Sequence, residues 1–299
     1  MEAEKSRQRG IYRATLVGSA VNAGLVVLKF IAGVLGRSSA MIADAVHSLS
    51  DFLTDIIVLL FVRTSSKPQD EDHDYGHGKF ETMATLLIGV ILLLVAVNIF
   101  VGSAQQIAAA WRGEILERPD MIALIVALAS ILAKEALYHY TLRAGRRLGS
   151  QAVMANAWHH RSDALSSLGT LAGIALAMFM GERWRVADPI AAMVVGALIV
   201  KVAIDIMRPA IDELLERSLP REQEDDIRRT MLAVDGVERI GQLRTRHIGP
   251  NIAIEAHIKM DGNMTLTDAH TIATRTERAL RAAYGPATYT SLHMEPLVE

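Results

Sequence analysis

Long apolar runs alternate with short polar stretches over the first two thirds of the chain. Six runs stand out, from Ile11 to Leu35, Ala40 to Val62, Glu81 to Ala108, Pro119 to Leu142, Ala152 to Met180 and Pro189 to Met207. A helix needs roughly 20 mostly apolar residues to cross a bilayer, where lipid offers no partner for an unpaired backbone group. The pattern therefore predicts six membrane-spanning helices joined by short loops. The first run is too long for the core of a cleavable signal and is expected to remain as a helix. After Met207 the character changes to Pro209, a mixed-charge run from Asp212 to Arg229, and short alternating segments. These read as a helix near Arg221 to Ala233, a strand near Arg239 to Ile248, a turn at Gly249, Pro250 and Asn251, a strand near Ile252 to Met260, a helix near Thr267 to Tyr284 and a strand near Thr288 to Met294. The order αββαβ suits a small open sheet with helices on one face. The expected organisation is a membrane domain over residues 1–208 and a small α+β domain over 209–299, whose modest core would gain from burial against a second copy.

Several positions inside the apolar runs are ionisable, at a cost on the order of 2.5 to 3.5 kcal/mol for a charge at mid-bilayer. In the second run Asp44, His47, Ser48, Asp51, Thr54 and Asp55 recur at steps of three and four, and in the fifth Asn156, His159, Asp163, Ser166, Ser167 and Thr170 do the same. Each set is one polar stripe on a helix and must face protein or water. Within each stripe a His and an Asp stand four residues apart, His47 with Asp51 and His159 with Asp163, so both side chains share a face one turn apart. Antiparallel passage of the two helices puts all four at overlapping depth. Two imidazoles and two carboxylates meeting there make a four-coordinate site of the kind Zn(II) accepts. Hydrogen bonding between helices is the ordinary role of one such residue, but two matching pairs at matching depth favour a metal site.

Composition agrees with a membrane domain and narrows the chemistry. Hydrophobic residues make up 51% of the chain with only 5% aromatics. A formal net charge of -2 gives no basic surface for nucleic acid. The chain has no cysteine, which excludes disulfides, thiolate metal sites and cysteine nucleophiles, so any metal must be held by imidazole and carboxylate. Basic residues concentrate at the N-terminus (Lys5, Arg7, Arg9, Arg13), after the second run (Arg63, Lys67, Lys79) and after the fourth (Arg143, Arg146, Arg147). By the positive-inside rule both termini are expected in the cytoplasm and the protein in the cell membrane.

Two further groups of potential ligands lie outside the apolar runs. The loop from Asp70 to Lys79 carries Asp70, His73 and His77, with Gly76 and Gly78 permitting tight turns. It reads equally as a second, partly exposed metal site or as a solvated acidic loop that collects cations loosely. In the last segment His247, His257, His270, His293 and Glu295 place five potential ligands close together in sequence, which favours at least one metal site there. His139, near a helix end, and His160, about 100 degrees around the helix from His159, are expected to be ordinary histidines.

The run from Ala43 to Asp51, the run from Tyr75 to Glu81, and the run from His159 to Ala164 together resemble the cation diffusion facilitator family of divalent metal and proton antiporters. Segments around Leu243 to His247, His270 and Leu292 to Pro296 add to the match, which spans nearly the whole chain. The resemblance implies a homodimer, transport on His47, Asp51, His159 and Asp163, a loop site on Asp70, His73 and His77, and a ferredoxin-like cytoplasmic domain that binds metal near the dimer interface. The chain departs from some bacterial members at Gly241, where they carry a histidine, while His247 is present where they lack one. The cytoplasmic site is therefore expected to be arranged differently or to hold fewer ions.

The expected fold is a polytopic α-helical membrane protein of six spans with a ferredoxin-like α+β cytoplasmic domain. The expected function is proton-coupled efflux of a divalent metal, zinc first, with Fe, Co, Ni, Cd and Mn as further candidates and protons as counter-ion. A membrane-embedded metalloenzyme is disfavoured, because no HExxH helix is present and four ligands would leave no position for an activated water. A metal sensor with a membrane anchor would not explain ligands at mid-bilayer.

Overall fold

The computed structural model describes residues 2–65, 67, 69–148 and 150–297. The side chains of Lys5, Arg7, Arg9, Thr54, Asp55 and Arg63, invoked above, lie outside the described set. Six long helices form in chain order: α1 (Glu2–Leu35), α2 (Ser39–Ser65), α3 (Lys79–Trp111), α4 (Met121–Leu148), α5 (Gln151–Phe179) and α6 (Ala187–Leu214), the last preceded by a 3₁₀ turn, Glu182–Val186. Among the described residues, the stretches Thr15–Leu35, Lys79–Trp111, Met121–Leu148, Asn156–Phe179 and Glu182–Leu214 are long and apolar enough to cross a membrane by length and composition. The sixth helix, α2, carries the row of His and Asp residues. Its neighbours expose large aliphatic side chains such as Leu28, Leu94, Leu132 and Leu198, the pattern expected of helices whose outer faces meet lipid rather than water. The sequence pattern closes α6 near Met207, but the helix runs through Pro209 to Leu214.

The chain divides into two compact units, residues 1–56 with 88–205 and residues 57–87 with 206–299. In the first unit small residues let helices approach. Ala32, Ala40, Met41, Ala123, Ala127, Ile174 and Met178 form one buried cluster from α1, α2, α4 and α5, while Val46, Ala96 and Ile199 join α2, α3 and α6. A β-carbon on Gly173 would lie 2.5 Å from the Ala191 β-carbon, so α5 and α6 meet there only because the position is glycine. The start of α2 is capped twice. The Ser38 hydroxyl accepts from the Met41 amide at 3.0 Å. The buried Asp188 carboxylate, in the first turn of α6, accepts from the Ser38 hydroxyl at 2.6 Å and from the Ser39 amide at 2.7 Å. Negative charge at a helix N-terminus satisfies free amides and opposes the macrodipole.

The second unit holds α7 (Arg221–Leu232), β1 (Arg239–Ile248), β2 (Asn251–Met260), α8 (Leu266–Tyr284) and β3 (Tyr289–Pro296). The sheet order is β1-β2-β3. β1 and β2 run antiparallel across a two-residue turn, Gly249 at φ 58° with Pro250. β2 and β3 are parallel and need the long crossover that α8 provides. Thr265 opens α8 by accepting from the Asp268 amide at 3.2 Å, and Gly285 follows its end at φ 107°. Alternation on the strands sorts the faces. Ile254, Ala256, Ile258 and Met260 pack with Ile227 and Met231 of α7 and Ala273 and Leu280 of α8, which leaves Glu255, His257 and Lys259 on the other face of the sheet.

Because the α5 and α6 backbones meet at Gly173, Gly173→Val should lower the melting temperature of the detergent-solubilised chain by several degrees. Gly169→Ala on the same helix, where a β-carbon meets nothing within 4 Å, serves as the control and should change it little. Equal melting temperatures for the two variants would contradict this packing.

Candidate metal centres

In the membrane unit α2 and α5 bring three of the four expected ligands together. Ligand atoms of His47, Asp51 and Asp163 all lie within 4.8 Å of one another. His47 and Asp51 sit one turn apart on α2, and Asp163 is buried on the facing stripe of α5 with Ser167 and Thr170. The His47 Nδ1 and Asp51 Oδ2 atoms are buried without a hydrogen-bond partner among the described residues. Buried polar atoms are nearly always paired, and these two are free to ligate a cation. The fourth expected ligand stands apart. His159 Nε2 is 3.8 Å from Asp163 Oδ2, but its side chain is 52% exposed. Its neighbour His160, expected to be ordinary, is the buried one, at 2% exposure, with both ring nitrogens unpartnered among the described residues. It faces α1, where Gly18 leaves room for the ring: a β-carbon there would lie 3.4 Å from its Nε2. His139 is exposed beside Glu135.

Two buried lysines also belong to this unit, and neither is among the residues singled out from the sequence. Lys29 of α1 is fully buried, with its ammonium 2.6 Å from Asp44 Oδ2 and 3.0 Å from the Ser48 hydroxyl. The Ser167 hydroxyl in turn donates to Asp44 Oδ1 at 2.9 Å. Lys134 of α4, 2% exposed, donates to Asp163 Oδ2 at 2.6 Å. The signal was available: each lysine interrupts an apolar run, and Lys134 lies in step with Ala127, Ser130, Tyr138 and Thr141 on the buried stripe of α4. Any intramembrane charge needs a partner, so a lysine in an apolar run is as informative as a histidine or an aspartate.

In the second unit the loop ligands converge. Asp70 Oδ1 lies 3.2 Å from His73 Nδ1 and Asp70 Oδ2 lies 3.2 Å from His77 Nε2. Asp70 Oδ1 also accepts from the amides of Asp72 and His73, a local turn that fixes the carboxylate. Burial works against its charged form, but the His73 ring and those two amides outweigh it and hold the carboxyl below its usual range. Gly76 at φ 76° makes the turn. Gly78 packs against the β1-β2 turn, since a β-carbon there would lie 2.7 Å from the Ile248 carbonyl. Lys79 pairs with Glu216. Arg246 reaches Glu216 at 2.8 Å and Glu255 at 2.6 Å.

On the open face of the sheet the parallel register sets His257 beside His293. His257 Nδ1 is 2.7 Å and His293 Nε2 3.9 Å from Glu295 Oε1, and the three residues can present ligand atoms within 4.8 Å of one another. The hydrogen bond from His257 holds the Glu295 carboxyl below its usual range. Its contribution to stability is therefore present above the ordinary carboxylate pKa and fades as pH falls through the lowered one. Two of the five expected ligands are not in this group. His247 is exposed near the end of β1, and His270 is exposed on α8. Within one chain, the described ligand atoms that converge here are those of His257, His293 and Glu295.

The cation efflux transmembrane domain model matches residues 15–215, and the model of the cytoplasmic domain of cation efflux proteins matches residues 219–297. The chain is 31% identical over 291 residues to manganese efflux system protein MneP of Bacillus subtilis, covering 96% of each protein. It is 30% identical over 292 residues to cation-efflux pump FieF of Klebsiella pneumoniae, covering 98% of this chain and 95% of that one. Metal tolerance protein C1 of Arabidopsis thaliana is 35% identical over 292 residues, and there the chain spans 94% of its own length and 61% of the plant protein. A six-helix membrane part with His and Asp at its centre, a small α+β domain after it and both domain matches leave one assignment: the chain belongs to the cation diffusion facilitator family, multi-span membrane transporters that carry out cation efflux rather than catalysis.

Proposed function

We propose that this transporter exports a divalent transition metal ion, zinc foremost, in exchange for protons, holding the ion on His47, Asp51 and Asp163, with His159 joining when its ring turns inward. The observation that carries this reading is the convergence of those three ligands on facing helices, with orphaned His47 and Asp51 atoms between them. An imidazole must be neutral to ligate a metal, so ion and protons compete for one site, and affinity falls on acidification. Exposure of that site alternately to the two sides then couples the two fluxes. With both termini in the cytoplasm, as the basic loops indicate, an inward proton gradient favours release of metal outside.

The loop trio Asp70, His73 and His77 and the trio His257, His293 and Glu295 lie outside the pathway in this reading. We assign them metal that stabilises the cytoplasmic part and its pairing into a homodimer, which would add burial to a small core. In this reading the domain boundary proposed from sequence, near residue 208, sets the His257, His293 and Glu295 trio apart from the transport helices, while the loop trio precedes it in the chain.

Manganese is the second reading. With His159 turned away, the membrane trio offers one nitrogen and two carboxylates, a harder donor set than the four-ligand site, and two relatives are named manganese efflux system proteins. Competition for transport among Zn(II), Mn(II), Fe(II) and Cd(II) ranks the candidates.

Asp51→Ala or Asp163→Ala should cut metal flux into proteoliposomes by about a hundredfold or more, because losing one buried charged partner costs ~3 kcal/mol or more. Near-normal flux in a folded Asp51→Ala protein would place the path elsewhere. An imposed pH gradient should drive metal uphill in wild-type vesicles, with proton counterflow seen by an internal dye. Flux indifferent to the gradient would make the protein a uniporter. Replacing His257 and His293 together by alanine should lower the amount of metal bound per full-length chain while leaving reduced but measurable flux; a complete transport loss with normal folding would make the cytoplasmic site essential.

A further inference from the structure

The two buried lysines of the membrane unit are held differently. Lys29 is caged: Asp44, Ser48 and Ser167 all lie within 3.5 Å of its ammonium, so its donors are met by fixed neighbours. Asp163 is the single hydrogen-bond partner described for Lys134, and Asp163 is also one of the three proposed ion ligands. One carboxylate is thus shared between a lysine and the metal site. A buried lysine held by one described carboxylate is expensive in a membrane, and such residues persist where they serve the transport path.

We propose that Lys134 is a tethered counter-cation of the transport site, neutralising Asp163 while the site is empty and yielding that carboxylate when the metal ion arrives. The proposal rests on the membrane site assigned above. Two positive charges, one of them divalent, cannot share the Asp163 carboxylate at close range in a low-dielectric interior without strong repulsion, so binding displaces the ammonium from Oδ2. An exchanger returns with protons in place of the metal, and on that step the trio still brings the Asp51 and Asp163 carboxyl groups through the change of access. Lys134 compensates one of them. The lysine therefore weakens metal binding and eases the metal-free return step, and both effects follow from its charge.

Lys134→Met separates this role from a packing role. Zinc binding is measured by calorimetry on the full chain in detergent, in a background with His73, His77, His257 and His293 replaced by alanine so that the membrane site alone reports. Turnover is measured in proteoliposomes on the otherwise native chain. Lys134→Met should bind zinc at least tenfold more tightly and turn over at least tenfold more slowly, lowering KM and kcat together, while Lys134→Arg, which keeps the charge, stays closer to wild type in both. Unchanged or weakened binding, unchanged turnover, or an arginine variant that behaves like the methionine one would overturn the proposal. If Lys134→Met does not fold, Lys134→Gln is read by the same criteria. Failure of the underlying site is a distinct result: the background protein with Lys134 intact would then bind no zinc that depends on Asp51.

Discussion

A carboxylate in the middle of an apolar helix has to be compensated by some other group, because lipid supplies neither water nor counter-ions. The membrane unit answers this with Lys29 against Asp44 and Lys134 against Asp163. Among the described carboxylates on the facing stripes of α2 and α5, Asp51 lacks such a lysine: its Oδ2 is buried and without a described hydrogen-bond partner, as is the Nδ1 of His47. The site is therefore short of positive charge where imidazole and carboxylate atoms converge, a condition that a divalent cation relieves. Close helix approach at Gly173 and the Asp188 cap on α2 hold α2, α5 and α6 in the arrangement that sustains this imbalance.

The same constraint ties the chemistry to transport. A site whose occupant is an ion, and whose imidazole ligands also take protons, has two competing cations on the same atoms. Competition becomes coupling only if the atoms face each side in turn. The second unit handles its charges otherwise. Its trios sit on a loop and on an open sheet face, where the Asp70 and Glu295 carboxylates are stabilised in charged form by hydrogen bonds rather than stranded. Sites of that kind suit resident ions better than passing ones.

Much of this was legible in the sequence, for identifiable reasons. Apolar runs of bilayer length gave α1 to α6, and period-two alternation gave β2 with Ile254, Ala256 and Ile258 inside. The His47 and Asp51 pair was visible because i,i+4 spacing is a local property of a helix. What depended on neighbouring helices was not. His159 and His160 stand four and three residues from Asp163, and either spacing puts a ring beside that carboxylate. The choice fell to α1, which offers Gly18 to His160 and leaves His159 half exposed. Likewise the alignment of His257 with His293 is a matter of strand register, invisible until β3 is placed parallel to β2. Pro209 misled for a local reason: lacking an amide hydrogen it reads as a helix end, yet α6 carries it within its last turns.

Zinc-edge anomalous scattering from crystals of the full-length, zinc-loaded protein tests the central claim most directly. The account predicts a peak between α2 and α5, about 2.0 to 2.2 Å from ligand atoms of His47, Asp51 and Asp163, with the Lys134 ammonium withdrawn from Asp163. Peaks confined to the loop and cytoplasmic trios at saturating zinc, with Lys134 still paired to Asp163, would contradict it.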